Sequence, residues 1–274
     1  MSLDTNFNPK KTTNLFGLKD KFLFFNKLIN NQNAPKVVML SGKKGLGKFT
    51  LINHIIHNYF DKKNYDMKNN IINEKSLFHK NFTNNLIPNI YYLNGSNFKN
   101  VKIDDIRDLK IDLFKSQLSD DRRFVVLDDI ESFNLNSLNA LLKIIEEPTN
   151  SNFFFLINNE SQPLLETIRS RSIEFTINID DETRNYITDS LSEYFSQKIL
   201  FIKNIIEVSP GNFIKFNHLI DKKNIDLNNN FLFNLNILID SFKKEKDLIY
   251  RDLLIYYSEY YLKMSFNKNT YNLN

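Results

Sequence analysis

Leu40-Ser41-Gly42-Lys43-Lys44-Gly45-Leu46-Gly47-Lys48-Phe49-Thr50 places Gly42 and Gly47-Lys48 at the G-x-x-x-x-G-K spacing of a phosphate-binding loop. The apolar run Val37-Val38-Met39-Leu40 precedes it, and Leu51, Ile52, Ile55, Ile56 and Tyr59 follow at helical spacing. A strand, a loop and a helix are therefore predicted in that order. Glycines let such a loop curl so that its N–H groups face a phosphate, the helix N-terminus adds positive potential, and Lys48 reaches the terminal phosphates. One position departs from the pattern. Phe49 stands where a Ser or Thr would hold magnesium, and the nearest hydroxyl, Thr50, comes one residue late. Gly42, Gly45, Gly47, Lys48 and Thr50 are candidate ATP or ADP ligands, with hydrolysis expected to be weak or absent. A glycine-rich turn that binds nothing is the plainer alternative.

Arg122-Arg123-Phe124-Val125-Val126-Leu127-Asp128-Asp129 is the second chemical stretch. Its apolar residues have the length of a buried parallel strand, and the two carboxylates fall at its C-terminal end, where ligands bind in open α/β sheets. Beside a phosphate loop this reads as a Walker B element. Asp128 is placed to organise magnesium and Asp129 to polarise an attacking water, although Asp129 is one methylene shorter than the usual Glu. A further buried strand, Phe153 to Ile157, stops at Asn158-Asn159. Asn158 there is either a phosphate-sensing residue or part of an Asn-rich turn. Strands at 36–40, 89–93, 153–157 and 173–177 alternate with helices at 18–30, 103–117 and 136–147, which predicts one three-layer α/β domain with a parallel sheet over residues 14–178.

The chain has 274 residues with 42% apolar and 25% charged side chains, the proportions of a globular protein with a sizeable core. It has no Cys, which excludes disulfides and thiolate metal sites and fits a reducing, cytoplasmic setting. No apolar run is long enough for a membrane span, and the first 13 residues lack the apolar core of a secretion signal. The net charge of +4 is too small to establish nucleic-acid binding. Asn, Lys and Ile are abundant, so the few Arg residues are expected where a planar fork matters.

Residues 61–88 carry weaker patterning and are expected to form an irregular insertion with a short helix near 71–82. His54 and His57 share a helical spacing, but no acid or thiol nearby completes a metal set, and they read as surface histidines. Beyond residue 180, Tyr186, Leu191, Tyr194 and Phe195, then Ile199, Ile202 and Ile205, have helical spacing, as do 231–242 and 247–264.

Three ordered motifs resemble one family: Asp128-Asp129-Ile130-Glu131, then Asn139-Ala140-Leu141-Leu142-Lys143-Ile144-Ile145-Glu146-Glu147-Pro148, then Thr167-Ile168-Arg169-Ser170-Arg171-Ser172. They are similar to the marks of the clamp-loader branch of the AAA+ ATPases, an N-A-L-L-K-x-x-E-E-P helix and an S-R-C motif. Within the branch, Pro9 to Gly17 and the Gly45 to Leu51 loop look most like the delta-prime subunits of bacterial DNA polymerase III. The resemblance implies an AAA+ domain over 1–178, a helical lid over 179–220 and a collar-like helical region over 221–274. It also maps a trans-acting arginine finger onto Arg171. Ser172 replaces the motif's Cys, residues 61–90 lack the four zinc-binding Cys of many relatives, and Asn212 in Ser209-Pro210-Gly211-Asn212 stands where the lid motif has Arg.

The implied function is that of a non-catalytic subunit helping load a sliding clamp on primed DNA beside gamma/tau-type ATPases and a delta-type subunit. The alternatives are an active ATPase, either gamma/tau-like or another DNA-dependent AAA+ enzyme using Lys48, Asp128 and Asp129, and a direct DNA-binding module. Phe49 and Asn212 argue against the ATPase. Scattered lysines such as Lys43, Lys44, Lys102 and Lys110 argue against the DNA-binding module.

Overall fold

A computed structural model describes residues 7–31, 33–95, 101–115, 122–149 and 151–271. Asn8–Ile179 form one compact unit, and Phe7 joins the residues from Asp180 onward in a second.

The first unit is built on a parallel sheet of β1 (Val37–Ser41), β4 (Ile90–Asn94), β5 (Arg123–Asp128), β6 (Asn152–Asn158) and β7 (Ile173–Thr176), in the order β4-β5-β6-β1-β7. Side chains alternate across a strand, so continuous apolar runs feed two cores at once. Val38, Leu40, Phe124, Phe153 and Phe155 point to one, with Phe22 and Phe25 of α1 (Lys19–Asn30) and Leu51, Ile52 and Ile55 of α2 (Lys48–Phe60). Met39, Val125, Leu127, Phe154 and Leu156 point to the other, with Ile106 and Leu109 of α4 (Ile103–Phe114) and Leu138 and Leu141 of α5 (Leu135–Ile145). The three layers follow the sequence pattern. Phe114, the last residue of α4, is exposed, and the expected helix end at Gln117 lies outside the described residues.

The insertion holds a short hairpin, β2 (Tyr65–Asp66) and β3 (Ile71–Ile72), and a seven-residue helix α3 (Leu77–Thr83), which falls where a helix is expected but starts later because β3 takes the first residues of that stretch. This insertion and the N-terminal segment pack on α2 and correct the reading of its histidines. His54, His57 and His79 are buried, not on the surface. Asn53 O can only accept, so the His57 Nδ1–H donates to it at 2.9 Å, and His57 Nε2 accepts from His79 Nδ1 at 3.1 Å. Burial holds His57 down to about 4 and His54 down to about 3; the other two histidines lower His54 further, and for His57 the Asn53 carbonyl and Asp61 oppose the shift.

Both groups bind protons more readily when unfolded, near pH 6.5, than when folded. Their contribution to stability is full above that pH and is lost as the pH falls toward 4. Urea unfolding should therefore show a loss of about 2 kcal/mol or more between pH 7 and pH 5. An unchanged midpoint over that interval would mean that the histidines are not held neutral.

The second unit contains α7 (Asp181–Tyr194), α8 (Pro210–Lys222), α9 (Phe231–Glu245) and α10 (Leu248–Tyr271). Phe213, Phe216 and Leu219 of α8 share one core with Leu238 of α9 and Tyr250, Leu253 and Tyr256 of α10. Ile199, Ile202 and Ile205 are not helical, contrary to their spacing. Buried Asn217 explains this: its Oδ1 accepts from the Leu200 and Phe201 N–H groups at 2.6 and 3.0 Å, which satisfies that backbone outside a helix. Among the described residues no helix is long and apolar enough to cross a membrane.

Candidate functional site

The Gly42 to Lys48 loop, the candidate phosphate loop, joins the C-terminal end of β1 to the first turn of α2. Gly42, Gly45 and Gly47 all have positive φ, at 138°, 90° and 85°. At Gly42 a Cβ would lie 2.6 Å from the Ile177 carbonyl oxygen, so a side chain is excluded by both conformation and space. Lys48 is buried in the curl, with its ammonium donating to the carbonyls of Gly42 and, at 2.9 Å, Lys43. Burial pulls its pKa down to about 8 against the opposing charges of Asp128, Glu131, Glu160 and Asp129. The glycines, the following helix and the lysine suit a phosphate group. Thr50 lies two residues past Lys48 on α2 and is only partly buried.

Asp128 and Asp129 are both buried at the end of β5, and Asp129 takes a left-handed backbone conformation with φ 52°. Their surroundings engage them fully. Asp128 Oδ1 accepts from Asp129 N at 3.0 Å and Asn159 Nδ2 at 3.5 Å, while Oδ2 accepts from Tyr92 OH and Asn94 Nδ2, each at 3.2 Å. Burial and the neighbouring Asp129 raise Asp128 to about 6. Asp129 forms an ion pair with Lys44 of the phosphate loop, at 3.0 and 3.1 Å to its two oxygens, and accepts from Asn159 Nδ2 at 2.7 Å.

A divalent cation does not fit this donor set. Magnesium needs oxygens at near-octahedral positions, but position 49 offers a buried aromatic ring packed edge-on against Tyr92 at 5.1 Å between centroids. Tyr92 in turn donates to the carboxylate that would organise the ion. Phe49, Tyr92 and Asp128 thus form a contact chain where a hydroxyl, an ion and a carboxylate would stand.

Asn158 is buried at the end of β6, but its contacts lead away from the carboxylates: Nδ2 reaches Ser41 Oγ at 3.5 Å, and Oδ1 accepts from Glu160 N at 3.0 Å. Its neighbour Asn159 is the residue that touches both aspartates. Glu131 is a further buried carboxylate. It accepts from Asn159 N at 3.1 Å and from Ser161 Oγ at 2.8 Å, and so fixes the turn that carries Asn159. Of these contributors, Glu131 was within reach of the sequence reading as the fourth residue of the Asp128 motif. Tyr92 and Asn94 gave no signal, because nothing local to β4 shows that it borders β5.

Arg171 lies between α6 (Glu166–Arg169) and β7, two residues before Ile173, whose register partner on β1 is Val38. In a parallel sheet this is the N-terminal edge, and Lys48 lies beyond the C-terminal edge. The guanidinium is about one-third exposed, donates to Thr167 O at 3.0 Å and pairs with Glu146 at 2.7 Å. Pro35, Lys36, Val37, Ile145, Pro148, Arg171 and Ile173 border a surface concavity of about 340 Å³.

Comparison with known proteins places these features in a family. The family described as DNA polymerase III, delta subunit matches residues 18–181. A DNA polymerase III subunit delta' of Pseudomonas aeruginosa is 36% identical over 76 residues, 28% of this chain and 23% of that one. The corresponding subunit of Buchnera aphidicola subsp. Schizaphis graminum is 28% identical over 130 residues, 45% of this chain and 39% of that one. The matches thus span well under half the length of these relatives. Among solved structures, a DNA polymerase III gamma subunit-related protein of Thermotoga maritima aligns with a TM-score of 0.46 at 17% identity, covering 79% of this chain and 77% of that one. The family match takes in more than half of the chain and the whole of its parallel sheet, and the chain therefore belongs to the DNA polymerase III delta subunit family.

Proposed function

We propose that this chain is a non-catalytic, delta-prime-like subunit of a DNA polymerase III clamp loader that lends Arg171 to the nucleotide site of an adjacent ATPase subunit. The observation that carries the reading is the position of Arg171 relative to its own phosphate loop. The five residues of β1 separate the two by about 16 Å along the sheet. An arginine side chain cannot span that distance, so Arg171 cannot serve the chain's own loop, and its partly exposed fork is open to a neighbour. Its guanidinium would stabilise charge developing on a neighbour's transferring phosphoryl group.

The chain's own site supports the same division of labour. Asp129, at the water-polarising position, is neutralised by Lys44 and held by Asn159. Asp128 is saturated by neutral donors. A phosphate bound at the loop would meet Lys48 and the start of α2, and the nucleotide would persist without turnover. The partners in this reading are gamma/tau-type ATPases and a delta-type subunit, and through the assembly a sliding clamp and primed DNA. Exposed Leu232, Phe233, Leu262 and Phe266 on α9 and α10 offer apolar surface for such an assembly. Nucleotide held at subunit interfaces would favour one state of the ring, and hydrolysis would release it. The test compares ATP turnover by complexes assembled with the wild-type and Arg171→Ala chains; equal turnover removes the finger.

A further inference from the structure

We propose that Glu146 is a positioning residue for Arg171, fixing the plane of its guanidinium before a neighbouring subunit arrives; this rests on the finger reading of Arg171. Glu146 follows the last residue of α5. Its backbone is still helical, at φ −66° and ψ −43°, and its N–H donates to Leu142 O at 3.0 Å. A carboxylate there opposes the helix dipole, which favours cations at that end. Its place is therefore not explained by the stability of α5. What it gains is Arg171, whose Nη2 lies 2.7 Å from Glu146 Oε1.

The guanidinium is held from two elements, with a weak further contact from Nη1 to the neighbouring Ser170 Oγ at 3.5 Å. Nη1 donates to Thr167 O at 3.0 Å within the segment that carries Arg171, and Nη2 meets Glu146 from α5. One attachment leaves a planar fork free to turn about its bond, and two attachments from different elements fix its plane. The two elements are themselves rigidly joined. Ile144 and Ile145 of α5 and Ile168 of α6 are buried in the same apolar core. The fork is thus ordered before binding, so the rotamer entropy of the arginine is not lost at the moment a phosphate is engaged. The pair is also partly open to solvent, with side-chain exposures of 35% and 45%, so a partner's phosphate can approach without dismantling the core.

The test uses the complex assembled from this chain and its ATPase partners, with ATP turnover as the readout. Glu146→Ala should lower kcat by about 3- to 10-fold with KM for ATP unchanged, and Glu146→Gln, which keeps an acceptor oxygen, should recover most of the loss. Thermal unfolding of the isolated variants checks that the chain stays folded. In the Arg171→Ala background Glu146→Ala should have no further effect, because Glu146 acts only through the arginine. If Arg171→Ala lowers turnover while Glu146→Ala leaves it unchanged or raises it, the positioning role is overturned and the finger stands. An added loss in the double variant overturns it as well, since the effect then bypasses Arg171. If Arg171→Ala itself changes nothing, the finger reading fails first and takes the positioning role with it.

Discussion

Arg171→Ala is expected to lower ATP turnover by the assembled complex by about 10³-fold while the complex itself remains intact. The size follows from what a guanidinium does in a water-poor phosphoryl-transfer site: it meets charge that is larger in the transition state than in the bound nucleotide. Assembly is spared because Arg171 is partly exposed and its internal contacts are a surface ion pair with Glu146, a bond to the Thr167 carbonyl and a weak one to Ser170 Oγ. Such a pair contributes about 1 kcal/mol or less to folding. Size-exclusion chromatography reports assembly, and a coupled phosphate-release assay reports turnover. Loss of the complex in parallel with loss of turnover would make Arg171 an interface residue and not a finger.

The second large effect concerns Phe49. Replacing it by Thr restores the hydroxyl of an active phosphate loop, yet the expected outcome is a less stable protein that has gained no turnover. Phe49 is buried, packs edge-on against Tyr92 and belongs to the core that holds Ile52 and Val126, so removing its ring leaves a cavity worth about 3 kcal/mol. The hydroxyl would still face an Asp128 whose oxygens are taken by Tyr92, Asn94, Asn159 and the Asp129 N–H. Urea denaturation measures the first part and a magnesium-dependent phosphate assay the second. Magnesium-dependent turnover in Phe49→Thr would show that position 49 alone separates this chain from a motor, and that Tyr92 yields to the ion.

The parallel sheet and the glycine-lined turn before α2 were legible because each depends on local pattern. Glycine spacing, an uninterrupted apolar run and a helical repeat lie within about 25 residues of one another around Lys48. The scarcity of Arg was also informative. Buried Arg123 uses both arms of its fork on the carbonyls of Leu113 and Lys115, and Arg171 uses both of its own. What was not legible depends on pairing between distant segments. Tyr92 reaches Asp128 across 36 positions, and Lys44 reaches Asp129 across 85, and no spacing rule links them. The histidines of α2 read as surface residues because the pattern of one helix cannot show that a second layer, the hairpin and α3, covers its outer face. Ile199, Ile202 and Ile205 had helical spacing, but Asn217 from a later helix satisfies that backbone differently. The expected boundary near residue 220 is crossed by a core that α8 shares with α10.

On the proposed function, this chain supports hydrolysis elsewhere and performs none itself. The most direct test is ATP turnover by the purified chain alone, with magnesium and primed DNA present. The expected rate is indistinguishable from that of Lys48→Ala, whether or not nucleotide binds. A rate well above that control would contradict the proposed function, since Asp128 and Asp129 would then be acting on the chain's own nucleotide.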